Sequence, residues 1–301
     1  MVTVAIGGGL GNQLFQYAAG RALSLRLGTE LQLDSLELLD PAPRRHAAKR
    51  HYDLPTVFRI DPKFVLPARL FRRVQVPYAP AILGKIYGPL LAKLGHWQYV
   101  RQKGFIAFDP AVFSMRGSVY LYGGWQSEKY FIDQADVIRR DLTFRDELTG
   151  AAGDLARDIA ALKSVALHVR RGDKLWNPVA VRLCVVAPQE YYDAAVALMK
   201  KKIGPDIKVF VFSDDIDWCR RNLKVDAEHA FVGSELSGPR GGGHLQLMSL
   251  CKHFIMPEST FPWWGAWLST NKGKVVIAPK RMFQDETIDT KDAYPETWIR
   301  I

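Results

Sequence analysis

The run Val2-Thr3-Val4-Ala5-Ile6-Gly7-Gly8-Gly9-Leu10-Gly11-Asn12-Gln13 narrows the possible folds more than any other feature of the chain. It reads as a short buried strand and a glycine turn, with apolar periodicity over 14–27 that Gly28 stops and a second strand at 30–34. That is a βαβ unit, and parallel neighbours joined by a helix require a parallel sheet. The alternation returns later, with strands at 118–122, 164–169, 207–212, 253–256 and 274–278 and helices from 128, over 191–202 and over 261–269. An Ala-rich helical connection at 147–163 separates the two series. The expectation is an α/β protein of two Rossmann-like domains facing a cleft, residues 1–150 and 151–301, with ligands at the carboxyl ends of the strands. Residues 35–110 read as an irregular basic insertion in the first domain.

Three stretches carry candidate chemistry. The loop Gly7–Gln13 lets backbone approach a ligand, and Asn12 and Gln13 can hydrogen-bond sugar hydroxyls. It is neither a dinucleotide fingerprint, because Asn12 replaces the last glycine, nor a Walker loop. The stretch Val165-Ala166-Leu167-His168-Val169-Arg170-Arg171-Gly172-Asp173 ends a strand in two guanidinium groups, which suit a leaving diphosphate; an Arg–Asp ion pair closing the strand is the other reading. In Pro257-Glu258-Ser259-Thr260-Phe261-Pro262-Trp263-Trp264, Ser259 or Thr260 can start a helix whose free amides take phosphate oxygens. Trp263, Trp264 and Trp267 form either a stacking wall or core, and the helical spacing favours core. Asp215-Ile216-Asp217 matches the bare D-x-D of metal-dependent sugar transferases, but its place at a helix start favours capping. Histidines and cysteines show no metal-ligand spacing, and three cysteines give no disulfide framework, so a reducing compartment is expected.

GGLGNQLFQYAAGRAL at 8–23, GGWQSEKYF at 123–131, HVRRGD at 168–173, FSDDIDWC at 212–219 and LMSLCKHFIMPESTFPWWGAWL at 247–268 together resemble the α-1,2-fucosyltransferases of glycosyltransferase family eleven. The resemblance spans nearly the whole chain, in the family's order. It implies a GT-B-like fold and inverting transfer of L-fucose from GDP-β-L-fucose to a galactoside 2-hydroxyl, with no metal or other cofactor. Arg170 would bind the donor diphosphate and stabilise the departing GDP, with Arg171 beside it. His168, His244, Glu258, Ser259, Thr260 and Phe261 would line the donor, and Gly9, Gly11, Asn12 and Gln13 would face the sugar or acceptor. Asp173 is the candidate base. The chain departs from the family at His244, where an acid usually accepts from guanine, at Glu258, usually Asn, and at Pro262, usually Ser. Two donor readings follow: GDP-fucose with Glu258 supplying the carboxylate, or another nucleotide sugar. A nucleotide- or glycan-binding protein without turnover is the more distant reading.

The net charge of +10 invites an anionic partner. Residues 62–108 hold eight Lys or Arg, no Asp or Glu, and interleaved apolar side chains. This pattern points to peripheral docking on an anionic membrane where a lipid-linked acceptor waits. A nucleic-acid partner is not expected, because the aromatics cluster apart from the basic residues. With no secretory signal or spanning helix in the sequence, the expected location is cytoplasmic, on the inner membrane face.

Overall fold

The computed structural model describes residues 1–35, 38, 50–60, 97–104 and 106–301. It divides into two compact units, one of Met1–Thr143 with Asp289–Ala293, the other of Phe144–Ile288 with Tyr294–Ile301. The sequence reading put the division at 150; here the chain changes unit between Thr143 and Phe144, before the Ala-rich helix.

In the first unit, β1 (Val2–Ala5) leads through the glycine turn into α1 (Leu10–Arg26) and returns as β2 (Leu31–Asp34). After α2 (Leu54–Val57) come β3 (Trp97–Arg101), β4 (Ser118–Tyr122) and α3 (Ala135–Asp141). The sheet order is β2-β1-β4-β3 and every pairing is parallel. Helix α1 is buried over most of its circumference. It lies so close to the sheet that a Cβ on Gly20 would come within 2.9 Å of Val4 and Leu31 side-chain carbons. Strand β3 corrects the expectation of an irregular 35–110. Its Trp-Gln-Tyr-Val-Arg lacks a clean apolar alternation and earns its place at the sheet edge by pairing with β4, with Tyr99 stacked on Tyr120 and Tyr122 at 5.7 and 6.3 Å. Most of the basic stretch 62–108 falls outside the described residues.

The second unit opens with α4 (Gly150–Ala161) and β5 (Ser164–Val169), followed by the short helices α5 (Gly172–Trp176) and α6 (Pro178–Leu183). Then come α7 (Gln189–Ile203), β6 (Lys208–Ser213), α8 (Ile216–Asn222), β7 (Glu228–Phe231), α9 (Gly242–Leu250), β8 (His253–Ile255), α10 (Thr260–Leu268), β9 (Val276–Ala278) and β10 (Ile299–Arg300). Six parallel strands run in the order β10-β9-β8-β5-β6-β7. Every residue of β5 is buried, as a central strand covered on both faces requires. Trp263, Trp264 and Trp267 are core, 2%, 0% and 2% exposed, packed on one another and on Trp298.

Candidate active site

Strand order decides where a ligand belongs in each unit. In the second, the chain leaves β5 for β6 on one side and reaches β8 on the other, so the order reverses between β5 and β8, and a crevice opens at their carboxyl ends. The residues after β5 are Arg170 to Asp173; those after β8 are Met256 to Ser259. Arg170 is one-quarter exposed. Its Nη2 donates to Asp173 and its Nη1 to Asp214, just beyond β6. Asp214 also accepts the Arg171 backbone N–H at 2.9 Å. A Cβ on Gly172 would strike the Asp214 carboxylate, so glycine lets the two loops meet. Five guanidinium donors are available and two are taken by carboxylates, so Arg170 retains donors for a phosphate.

Arg171 turns away. Its Nε donates to Asp215 at 3.2 Å and its guanidinium lies 3.6 Å from the Trp218 ring centre. The ion pair and the stacking engage its guanidinium, the alternative reading of this Arg–Asp stretch. The D-x-D carboxylates are likewise engaged. Asp215 caps α8 by accepting the Trp218 N–H at 3.3 Å and takes Arg171, and Asp217 pairs with Arg220.

The sequence reading passed over Lys174. It is 7% exposed, and its Nζ donates to the Val185 carbonyl at 3.2 Å, to the Glu258 carbonyl at 2.6 Å and to the Glu258 carboxylate. One ammonium group therefore ties the loop after β5 to the loop after β8. Burial raises the Glu258 pKa even against Lys174, and burial with the nearby Glu258 charge pushes the Cys184 thiol up to about 11. Glu258 is thus the counter-ion of Lys174. The signal available in sequence was a Lys directly after the Arg-Gly-Asp that follows β5 and a Glu before Ser-Thr-Phe, opposite charges on the two loops that meet at the crevice.

His168, at the end of β5, is 5% exposed, and its Nδ1 has no hydrogen-bond partner among the described residues. Burial first, then the charges of Arg170, His244 and Lys174, hold its pKa well below 6.5, so the ring is neutral. It lies 6.0 Å from the half-buried Phe261 ring, which also faces Gly241. His244 is buried at the start of α9 with Nε2 2.9 Å from the Gly233 carbonyl, and the Glu235 carboxylate lies against Gly233. Ser259 occupies the N-cap position of α10, yet its hydroxyl makes no capping bond, which leaves that hydroxyl and the helix's first amides available.

In the first unit the strand order reverses between β1 and β4, and a pocket of about 200 Å³ opens there, lined by Gly7, Gly8, Asn12, Gln16, Tyr122 and Gln126 among others. Asn12 Oδ1 accepts from Gln126 at 3.2 Å. Gln16 joins the two loops, accepting the Gly7 N–H at 2.9 Å and donating to the Gly123 carbonyl at 3.2 Å. Trp125 holds a left-handed φ of 55°, fixed by Gln102 Oε1, which accepts the N–H groups of Gly124 and Trp125. Of the four residues expected here, Asn12 lines the pocket. Gln13 is fully buried and spends its amide on the Gly8 and His51 carbonyls and the Asp53 N–H, Gly11 is buried within α1, and Gly9 caps that helix beside Arg50.

The family model for glycosyl transferase family 11 matches residues 103–301. The chain belongs to glycosyltransferase family 11. This family-11 enzyme is 29% identical over 307 residues to an α-1,2-colitosyltransferase of Escherichia coli, across 100% of this chain and 99% of that protein. It is also 29% identical over 292 residues to the O-antigen biosynthesis glycosyltransferase WbnK of Escherichia coli, covering 92% and 93% of the two chains. Two solved structures share its GT-B-like fold. One is the NodZ α-1,6-fucosyltransferase co-crystallised with GDP, with a TM-score of 0.51, 15% identity and coverage of 88% and 91%. The other is a variant of Arabidopsis thaliana FUT1 in complex with GDP, with a TM-score of 0.52, 13% identity and coverage of 98% and 75%. No helix among the described residues is long and apolar enough to cross a membrane.

Proposed function

We propose that this glycosyltransferase moves a 6-deoxy-L-hexose, L-fucose in the first instance, from its GDP-sugar to the 2-hydroxyl of a galactoside, with inversion and without a metal, in assembly of a bacterial O-antigen. The observation that carries this reading is Arg170 at the β5/β8 crevice, with spare donors, beside a buried neutral His168 whose Nδ1 is unpartnered and an uncapped helix start at Ser259-Thr260-Phe261. Such an arrangement suits a diphosphate: a guanidinium and helix amides hold the charge that develops as the bond from sugar C1 to phosphate breaks. The acceptor oxygen attacks C1 from the opposite face. Asp173, three residues beyond Arg170, is the carboxylate that takes the acceptor proton. The nucleotide base lies toward His244 and Phe261, where Glu235 is the carboxylate at hand. Asn12 and the pocket around it serve the sugar or acceptor side, and residues 62–108 an anionic membrane surface bearing a lipid-linked acceptor, at the cytoplasmic side.

A second donor is supported by the relative matched over the full chain, a colitosyltransferase. Colitose is L-fucose without its 3-hydroxyl, so the two donors ask for one site with and without a single hydrogen-bond partner. A donor screen against β-galactosides, with linkage read by NMR, tests both. The expected product is an α-1,2-linked fucoside or colitoside; UDP-sugars used ahead of GDP-sugars, or a requirement for Mn²⁺ after EDTA treatment, would sink the reading.

A further inference from the structure

Among the described residues, seven large apolar side chains stand exposed, and four of them fall in one stretch: Leu175 at 49%, Trp176 at 56%, Val179 at 64% and Val181 at 47%. That stretch begins directly behind the Arg170–Asp173 pair. Exposed apolar side chains gathered in one place mark a surface meant to be covered. Its geometry is set by a hydrogen-bonded corner. Lys174 faces inward from α5, which turns Leu175 and Trp176 outward. Asn177 donates its N–H to the Asp173 carbonyl at 2.9 Å and accepts the N–H groups of Val179 and Ala180 at 2.9 and 3.2 Å, so the turn from α5 into α6 is held at both ends. Asp173 and Trp176 are three residues apart on α5, and residues so spaced share a face. The indole therefore stands on the side of the helix that carries the carboxylate bound to Arg170.

We infer that Trp176, flanked by Leu175 and Val179, is the platform on which the acceptor sugar stacks. The inference deepens the transfer reading above and rests on it. A galactoside pyranose has one face of C–H groups and an edge of hydroxyls; a large, rigid aromatic plane matches that face and leaves the hydroxyls directed at the reacting groups. The second substrate must lie beside the departing diphosphate, and the stretch 175–181 is continuous with that point along a single short helix. Charge argues against a lipid surface as the occupant. Within 172–183 the cations are Lys174, buried and paired, and Arg182, too few to draw the patch to an anionic membrane.

The test compares Trp176→Ala and Trp176→Phe in the full-length enzyme. The Ala variant should raise the acceptor KM roughly tenfold, the equivalent of one stacking contact, while GDP affinity and donor hydrolysis in the absence of acceptor stay unchanged; the Phe variant should recover most of the loss. Saturation-transfer NMR with methyl β-galactoside and GDP should show transfer from protein to the sugar's ring protons that disappears in Trp176→Ala. An unchanged acceptor KM with undiminished saturation transfer overturns the proposal, as does a parallel loss of GDP binding. Loss of flotation on anionic vesicles with acceptor binding intact would likewise overturn it and assign the patch to lipid. Saturation transfer that depends on Trp176 in an enzyme that transfers no sugar would uphold the platform and discard the transfer reading, so the two fail separately.

Discussion

Two adjacent arginines follow β5, and their neighbours give them different work. Arg170 is held between Asp173 and Asp214 with donors to spare, whereas Arg171 is spent on Asp215 and the face of Trp218. Substitution at each should therefore read out differently. Arg170→Ala removes the charge that meets the departing diphosphate, and kcat should fall about 10²–10³-fold. Arg170→Lys should recover little, because a point charge does not reproduce a fork that reaches two carboxylates and a phosphate together. Arg171→Ala should leave the donor KM within a factor of about two; it costs about 1 kcal/mol of stability through the lost cation–π contact, seen as a melting temperature lower by roughly 2–4 °C. Steady-state kinetics beside calorimetric melts distinguish the two. A large donor KM effect at Arg171 would return it to the site.

The elements that meet at the crevice are joined by Lys174 and Glu258, whose ion pair ties the loop of β5 to the loop of β8. A buried pair broken on one side leaves an uncompensated charge, at a cost of about 3–5 kcal/mol. Lys174→Met should therefore destabilise strongly and release Ser259 from its register with Arg170, lowering kcat with the melting temperature. Glu258→Gln keeps the shape and an acceptor oxygen and should cost less than half as much. Chemical denaturation of both variants checks the order, and equal effects would argue that the two loops hold without the pair. This junction also marks the limit of legibility in the sequence. Strand β5, helix α8 and the tryptophan core of α10 were readable because apolar period and cap residues act within one element. Strands β3, β7 and β10 were not, because short edge strands with mixed polarity are made by their partners. Arg170, Ser259 and Asn12 were legible as candidate site residues from loop chemistry. The contacts of Gln13 and Arg171 were not legible, because the same polar groups that grip ligands also pin backbone and neighbouring carboxylates, and one chain position does not distinguish these until the contact is known. Lys174 went unread because its partner stands 84 residues away.

At the scale of the whole molecule the chain is not two consecutive halves. Residues Asp289–Ala293, near the carboxyl terminus, belong to the first unit, where the nearly buried Asp292 accepts the Phe108 N–H at 2.9 Å and the Lys129 ammonium at 2.9 Å. A fragment ending at Thr143 should accordingly be less stable than one carrying this segment in trans, and Asp292→Ala should lower the melting temperature of the intact enzyme. The second unit sets the response to acid. His168, His244 and His253 all have pKa values lowered, chiefly by burial, so each is neutral in the folded protein and takes a proton near pH 6.5 once unfolded. Below pH 6.5 the unfolded chain binds more protons than the folded one, so stability is fully present above that pH and declines as pH falls toward the folded values. Glu258 acts in the opposite sense: burial raises its pKa, so as pH falls the folded state takes up this proton before the unfolded chain does, which favours folding on the acid side. The urea midpoint should be level from pH 7 to 8 and drop between pH 6.5 and 5. Replacing His168 with Gln should flatten that drop, and Glu258→Gln should steepen it. A midpoint that holds steady down to pH 5 would mean that these histidines reach water in the folded state.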